Sequence, residues 1–177
     1  DGTMDALGLE YLDLFLIHWP LPGIDVDYVE TWKAMEEMYH SGRVKAIGVS
    51  NFNVNHLNRL FSETEIRPAV NQIEVHPYFA QNDLRAFNAD HEIHTEAWAP
   101  IAQGKVLDDP TLIRVGERHG KSPAQAALRW AVQRGDIIFP KSVTRARVEQ
   151  NFDLFDFELT EDDMREIDGL DRADGRN

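Results

Sequence analysis

Polar or aromatic side chains close, or lie along, five short apolar runs of the chain. They are His18 after the first run, Ser50 and Asn51 after the second, Gln72, Glu74 and His76 along or just past the third, Trp98 at the end of the fourth, and Lys141 and Ser142 after the fifth. Each has an ordinary structural role open to it, such as a capping pair at Ser50 and Asn51 or a core ring at Trp98. Their joint arrangement favours a shared ligand site.

The five apolar runs read as strands that alternate with helices. The predicted strands are Leu12–Ile17, which reads as a buried strand, Val44–Val49, Ala69–Val75, Ile93–Trp98 and Ile137–Phe139. Helical spacing covers Tyr28–His40, Asn53–Phe61 and Asn82–His91, and two later helices open at Ser122 and Thr160. Such alternation predicts an α/β fold with a parallel sheet, either doubly wound or a barrel. A barrel is favoured because ligand residues there come from many strand ends, whereas an open sheet uses one switch point.

A basic segment follows the last predicted strand. Residues 141–147 hold three cations, Lys141, Arg145 and Arg147, in a chain whose net charge is −13. Barrel enzymes often bind phosphate at such a place through loop amides, a helix N-terminus and cations. The alternative is a solvated surface loop. The chain has no Gly-x-Gly-x-x-Gly motif, so a Rossmann dinucleotide site is not expected.

Composition excludes several other classes. The strong negative charge argues against nucleic acid or membrane as a partner. The absence of cysteine rules out thiolate chemistry and cysteine zinc sites, and it fits a cytoplasmic protein. His91 and His94 lie near a helix end and a strand start, on the wrong face of a barrel, and Glu74 with His76 lacks an obvious third ligand. No catalytic metal is therefore expected. The Gly-x-Ser-x-Gly elbow of serine hydrolases is also missing.

Five ordered motifs resemble those of aldo-keto reductases over nearly the whole chain. They are Leu16–Pro20 (LIHWP), Gly48–Phe52 (GVSNF), Val70–Glu74 (VNQIE), Glu96–Pro100 (EAWAP) and Pro140–Thr144 (PKSVT). Trp98 and Gln103-Gly104-Lys105 are similar to the bacterial branch that includes 2,5-diketo-D-gluconate reductases. The resemblance implies a (β/α)8 TIM barrel, of which this chain holds strands 4 to 8 and their helices. It also implies an oxidoreductase that uses NADPH to reduce aldehyde or keto groups of small molecules.

The resemblance assigns roles to individual residues. His18 resembles the catalytic histidine that orients the substrate carbonyl, and Trp19 a wall of the substrate pocket. The other implied positions all contact the cofactor: Ser50, Asn51 and Gln72 at the nicotinamide carboxamide, Trp98 against its ring, Ala99, Ile101, Gln103 and Gly104 along the pyrophosphate, Lys141, Ser142, Val143, Thr144 and Arg147 around the 2′-phosphate, and Gln150 and Asn151 at the adenine. Fixed cations and hydroxyls would favour NADPH through charge-assisted hydrogen bonds.

The chain departs from the family pattern in three respects. Ala99 stands where Ser or Gly is common, and Gln150 stands where an acidic residue is common. The family's catalytic Asp, Tyr and Lys belong to the first strands of the barrel, and none of the four tyrosines here has a matching context. We therefore expect the isolated chain not to reduce aldehydes with NADPH.

Residues 1–177 are expected to form a single partial barrel domain. Five strands of eight cannot close a barrel, and the strands at Leu12 and Ile137 would expose unpaired edges. We expect a longer parent chain or a partner to supply the missing strands, and the resemblance implies that intact family members are often monomeric. A second function stays open, namely a non-catalytic NADPH-binding remnant or scaffold subunit.

Overall fold

The central feature of the fold is a parallel sheet of five strands in the order β1-β2-β3-β4-β5. A computed structural model describes residues 2–21, 23 and 25–177. The strands are β1 (Phe15–Ile17), β2 (Ile47–Ser50), β3 (Val70–Glu74), β4 (His94–Trp98) and β5 (Ile137–Ile138). All five predicted strands are therefore present, and the parallel α/β prediction is confirmed.

At least one helix follows each strand along the chain, and one helix precedes β1. The helices are α1 (Gly2–Leu7), α2 (Tyr28–His40), α3 (Val54–Glu63), α4 (Asn82–Asp90), α5 (Pro110–Arg118), α6 (Pro123–Gln133), α7 (Arg145–Phe152) and α8 (Glu161–Asp168), with a 3₁₀ turn at Ala102–Gly104. Capping boxes begin α3, α6 and α8 at Asn53, Ser122 and Thr160. Each cap supplies an acceptor for an otherwise unbonded N–H of the first turn, which is why these starts are visible in the sequence.

The secondary structure differs from the prediction at β1 and at the two helices α1 and α5. The run Leu12–Ile17 was expected to be a buried strand, but only Phe15–Ile17 is regular and most of the run is half-buried or exposed. The strand has a neighbour on one side only in the sheet order, so less of it is covered. Helices α1 and α5 were not predicted. The Asp109-Pro110 start of α5 is a cap followed by proline at the first helical position, a signal present in the sequence.

The chain divides into two compact units. Unit 1 comprises Asp1–Ile73 and Asp83–Thr95, and unit 2 comprises Glu74–Asn82 and Glu96–Asn177. The core of unit 1 is centred on Trp32, Phe52 and Leu57, which are almost completely buried. The indole of Trp32 donates to the carbonyl of Ile66 at 3.0 Å, so its one polar group is satisfied inside the core.

Unit 2 has its own core around α5 and α6. Trp130, Leu128 and Leu112 are completely buried there, and the indole of Trp130 donates to Asp168 Oδ1 at 2.8 Å. Gly175 lies so close to the carbonyl of Tyr78 that a Cβ atom would approach its oxygen to 1.6 Å. The last residues can therefore pack on this loop only with glycine at that position.

Across the residues that the structure describes, every helix is too short or too polar to cross a membrane. The prediction that no membrane is involved stays a prediction.

Candidate active site

The tight turn after β2 is the best-organised part of the candidate site in unit 1. The Ser50 hydroxyl and the Asn51 backbone N–H both donate to the carbonyl of Gln72, at 2.8 and 2.9 Å. Asn51 has a φ of 63°, in the left-handed region, which asparagine tolerates better than most residues. Ser50 is buried, and Asn51 and Gln72 are half-buried. The three residues expected at a carboxamide thus lie together.

The Asn51 side chain also connects this turn to the end of β1. Its amide nitrogen donates to the carbonyl of His18 at 3.0 Å and contacts the Ser50 hydroxyl at 3.0 Å. The rings of His18 and Trp19 are exposed, and their centroids lie 6.1 Å apart. The structure therefore brings the candidate catalytic histidine next to the turn, with the candidate pocket wall beside it.

A glycine in β2 permits the strand spacing on which this turn depends. β2 pairs with β3 so that Ser50 faces Gln72 in the register. A Cβ atom on Gly48 would lie 2.6 Å from side-chain atoms of Leu16 and Val70, on the two neighbouring strands. A larger residue would displace these side chains, and its Cβ would also lie 3.0 Å from the backbone carbonyl oxygen of Val70.

In unit 2, the segment after β4 is a series of tight backbone turns. Ala99, Ala102 and Gln103 all have positive φ values, between 47° and 54°. The turns are closed by the N–H of Ala102 to the carbonyl of Ala99 and by the N–H of Gly104 to the carbonyl of Ile101, both at 2.8 Å. Trp98 is half-buried at the end of β4, and its carbonyl accepts from Val75. Left-handed residues cost energy and often occur at ligand-binding loops.

The basic segment of unit 2, residues 141–151, is largely open to solvent. Most of its candidate residues are exposed, namely Lys141, Val143, Thr144, Arg147 and Gln150, whereas Ser142 and Asn151 are half-buried. The Ser142 hydroxyl accepts from the N–H of Thr144 at 3.2 Å, just before α7 begins. Arg145 is engaged by Glu149 at 2.7 Å on the surface of α7. Lys141 and Arg147, the two cations expected at the 2′-phosphate, are not part of this salt bridge.

Glu74 and His76 form a buried pair in unit 2. His76 Nε2 lies 3.0 Å from Glu74 Oε1, and the same oxygen accepts from the N–H of Asn177 at 2.7 Å. Burial lowers the pKa of His76 from its usual 6.5, although the Glu74 carboxylate opposes this. The described residues contain no cluster of three His, Asp or Glu side chains that could hold a metal ion. Through Glu74 Oε1, the pair holds the backbone N–H of Asn177.

Of the four tyrosines, Tyr78 has the most distinctive surroundings. Its hydroxyl donates to Asp109 Oδ2 at 2.8 Å, and burial together with this bond raises its pKa to about 12. A tyrosine held in this way keeps its proton at neutral pH and serves as a structural link to the start of α5.

Sequence reasoning missed a buried amide in unit 1. Asn71 is completely buried in β3, and its Nδ2 donates to the carbonyl of Phe52 at 3.0 Å. An asparagine inside a predicted strand, between Val70 and Gln72, was a signal available in the sequence.

The chain matches the model of the Aldo/keto reductase family over residues 3–172. It belongs to that family. It is 51% identical to an aldo-keto reductase of Mycobacterium sp. (strain KMS) over 96% of this chain and 61% of the relative. It is 46% identical to methylglyoxal reductase DkgA of Escherichia coli (strain K12), over 97% of this chain and 62% of that protein.

A solved structure of a Gox0644 variant in complex with NADPH superposes with a TM-score of 0.97 at 48% identity. The match covers 99% of this chain and 65% of that chain. These similarities confirm the family resemblance and the fold class, a portion of the family's (β/α)8 barrel. The chain spans about three fifths of the length of the curated relatives. The roles of individual site residues stay predictions.

Proposed function

We propose that the intact protein is an NADPH-dependent oxidoreductase that reduces aldehyde or keto groups of small molecules to alcohols. Three similarities support this: membership of the family, a relative named as a reductase of methylglyoxal, and a solved neighbour bound to NADPH. We also propose that the protein is cytoplasmic and that residues 1–177 belong to a single barrel domain. The remaining strands, with the family's Asp, Tyr and Lys, would come from a longer parent chain or a partner.

The hydrogen-bonded turn of unit 1 is the observation that carries this proposal. A carboxamide both donates and accepts hydrogen bonds, so it needs partners of both kinds at fixed positions. The side chains of Ser50, Asn51 and Gln72 are of the required types, and their shared backbone bonds hold them together before any ligand arrives. Such preorganisation lowers the entropy lost on binding. The amide and hydroxyl groups of this turn therefore support the nicotinamide carboxamide as its ligand.

The chemistry of unit 2 fits the other end of the cofactor. The hydroxyls of Ser142 and Thr144 and the cations of Lys141 and Arg147 are suited to the 2′-phosphate. Gln150 and Asn151 would contact the adenine. The turns from Ala99 through Ile101 and Gln103 to Gly104 would follow the pyrophosphate, because left-handed turns present backbone N–H groups to anions. Trp98 would offer its ring face to the nicotinamide.

His18 is the residue of this chain proposed to act on the substrate. Its exposed imidazole could hydrogen-bond a carbonyl oxygen and assist proton delivery, while Trp19 limits the space beside it. The bound cofactor supplies the hydride, and the protein supplies binding and orientation.

Consumption of NADPH by the protein at its natural length, with methylglyoxal as the probe substrate, tests the proposal. His18→Ala should lower kcat/KM by roughly 100-fold or more, the usual contribution of a positioned acid or base. His40→Ala, at an exposed position on α2, is the matched control and should leave turnover unchanged. Turnover by residues 1–177 alone, abolished by His18→Ala, would show that the missing residues are not needed.

The same experiment separates the enzyme from the scaffold alternative. Tight NADPH binding without reduction of any aldehyde or ketone by the natural-length protein would favour the non-catalytic function. Failure to bind NADPH at all would refute both.

A further inference from the structure

Unit 1 contains a network of buried polar side chains beside the turn after β2. Asn71 and Asn88 are completely buried, and Thr95 is 7% exposed. Asn71 Nδ2 donates to the Phe52 carbonyl at 3.0 Å and lies 3.5 Å from Asn88 Oδ1, a weak bond. Asn88 Nδ2 in turn donates to the Thr95 hydroxyl at 3.1 Å. The network thus connects β3, α4 and the start of β4 to one carbonyl of the turn.

The orientation of the Asn71 amide shows which of its groups matters. Its Oδ1 atom is buried and has no hydrogen-bond partner among the described residues. An unsatisfied buried acceptor costs free energy, so apolar side chains are usually preferred at such positions. Rotating the amide would place Oδ1 against the Phe52 carbonyl, where two acceptors repel each other. The side chain is therefore useful to the fold through its donors.

Asn71 and Gln72 hold the turn from two sides. The Gln72 carbonyl receives the Ser50 hydroxyl and the Asn51 N–H, while the Asn71 side chain holds the carbonyl of Phe52, the residue after Asn51. Asn51 sits between these anchors with a φ of 63°, a conformation that persists only where its surroundings enforce it. Loss of the Phe52 anchor would let Asn51 relax.

We propose that Asn71, supported by Asn88 and Thr95, is a positioning residue that fixes Asn51 for binding the nicotinamide carboxamide. This inference rests on the proposed function, because it assumes that Asn51 meets the cofactor. Asn71 itself is buried and acts through the Phe52 carbonyl. Its effect should therefore be confined to ligands that carry a nicotinamide.

Two ligands distinguish positioning from general loss of structure. NADPH contains the nicotinamide, whereas adenosine 2′,5′-bisphosphate carries only the adenine and 2′-phosphate end. In the natural-length protein, Asn71→Leu should raise the Kd for NADPH about tenfold, the equivalent of one hydrogen bond. The Kd for adenosine 2′,5′-bisphosphate should stay within about twofold. The inference would be overturned if the Kd values of both ligands rose equally, or if neither Kd changed.

Further variants keep the test decisive if Asn71→Leu folds poorly. Thr95→Val keeps nearly the same side-chain shape and removes the acceptor of Asn88 Nδ2. It should raise the Kd for NADPH alone, by about twofold to threefold, which is less than the effect of one full hydrogen bond. Asn58→Leu makes the same change as the first variant on the exposed face of α3 and should alter neither Kd. An unchanged NADPH Kd in Thr95→Val would contradict the supporting role of the network.

The proposed function and the inference fail in different ways. If the unaltered protein binds neither ligand, the proposed function is wrong, and the inference falls with it. If the unaltered protein binds both ligands and the variants bind them with unchanged Kd values, only the inference is wrong.

Discussion

The turn after β2 in unit 1 and the basic segment 141–151 in unit 2 are built on opposite principles. Main-chain and side-chain hydrogen bonds fix the turn on all sides, and its side chains are buried or half-buried. The basic segment is mostly exposed, and α7 buries none of its residues. The turn has a set shape, whereas the basic segment offers charge at an open surface.

This difference fits the two ends of the proposed ligand. Hydride transfer requires a reacting ring placed to within a fraction of an ångström, so its binding groups must be rigid before the ligand arrives. A phosphate is a compact anion that several donors can meet in many orientations. Rigid geometry is therefore expected where chemistry occurs, and adjustable charge is sufficient where the ligand is only held.

The largest effect is expected from a substitution in β2, the strand that leads into the rigid turn. Gly48→Val should lower the free energy of unfolding by about 3 kcal/mol, the upper end of the usual cost of overpacking, because its side chain would collide with Leu16 and Val70. Denaturant unfolding measures the loss. Gly169→Ala is the control, since a Cβ there meets its nearest atom at 3.4 Å and its φ is −66°. A tolerant Gly48→Val would show that the strand spacing is not tight.

The second effect removes the charge of the basic segment. Lys141→Ala combined with Arg147→Ala should reduce the preference for NADPH over NADH by roughly 10- to 100-fold, as expected for two charge-assisted hydrogen bonds near the surface. Kd values for the two cofactors measure it. Arg145→Ala serves as the control, because Arg145 is already engaged by Glu149. A preference unchanged in the double variant would remove the basic segment from the site.

A smaller effect is expected from the salt concentration. Exposed charges are screened, so raising the salt concentration from about 0.05 M to 0.5 M should weaken NADPH binding several-fold. NADH lacks the 2′-phosphate and depends more on the buried hydrogen bonds of unit 1, so its Kd should change less. Parallel salt responses of the two cofactors would contradict the division of roles.

The smallest effect is on the pH dependence of stability, and it arises from His76, which belongs neither to the turn nor to the basic segment. Burial lowers the pKa of His76, so the unfolded chain takes up a proton more readily than the folded one. Stability from this group is present above pH 6.5 and is lost as the pH falls below it, with Glu74, Lys105, Arg172 and Arg176 as the charged neighbours. Denaturant unfolding of His76→Gln should show a flatter dependence on pH between about 7.5 and 5.5, the range around the ordinary histidine pKa. An identical slope in both proteins would argue against a buried neutral His76.

Local signals account for the parts of the fold that were predicted. The starts of α3, α6 and α8 were visible because Asn53, Ser122 and Thr160 satisfy their first turns within four residues. Helix α5 was overlooked although Asp109 and Pro110 mark its start in the same way. The buried state of Leu12–Ile17 was overestimated, since apolar composition alone does not tell how many neighbours a strand has.

In the candidate site, too, some features follow from local sequence and others only from tertiary contacts. The sequence by itself determined the family, the order of strands and helices, and which polar side chains follow each strand, because these depend on motifs and short-range periodicity. Only the tertiary structure decided that Asn51 reaches the His18 carbonyl and that Asn71 holds Phe52, residues 33 and 19 positions apart. Such bonds depend on strand register and on side-chain direction, which are set when the core packs and are not encoded in any local stretch of sequence.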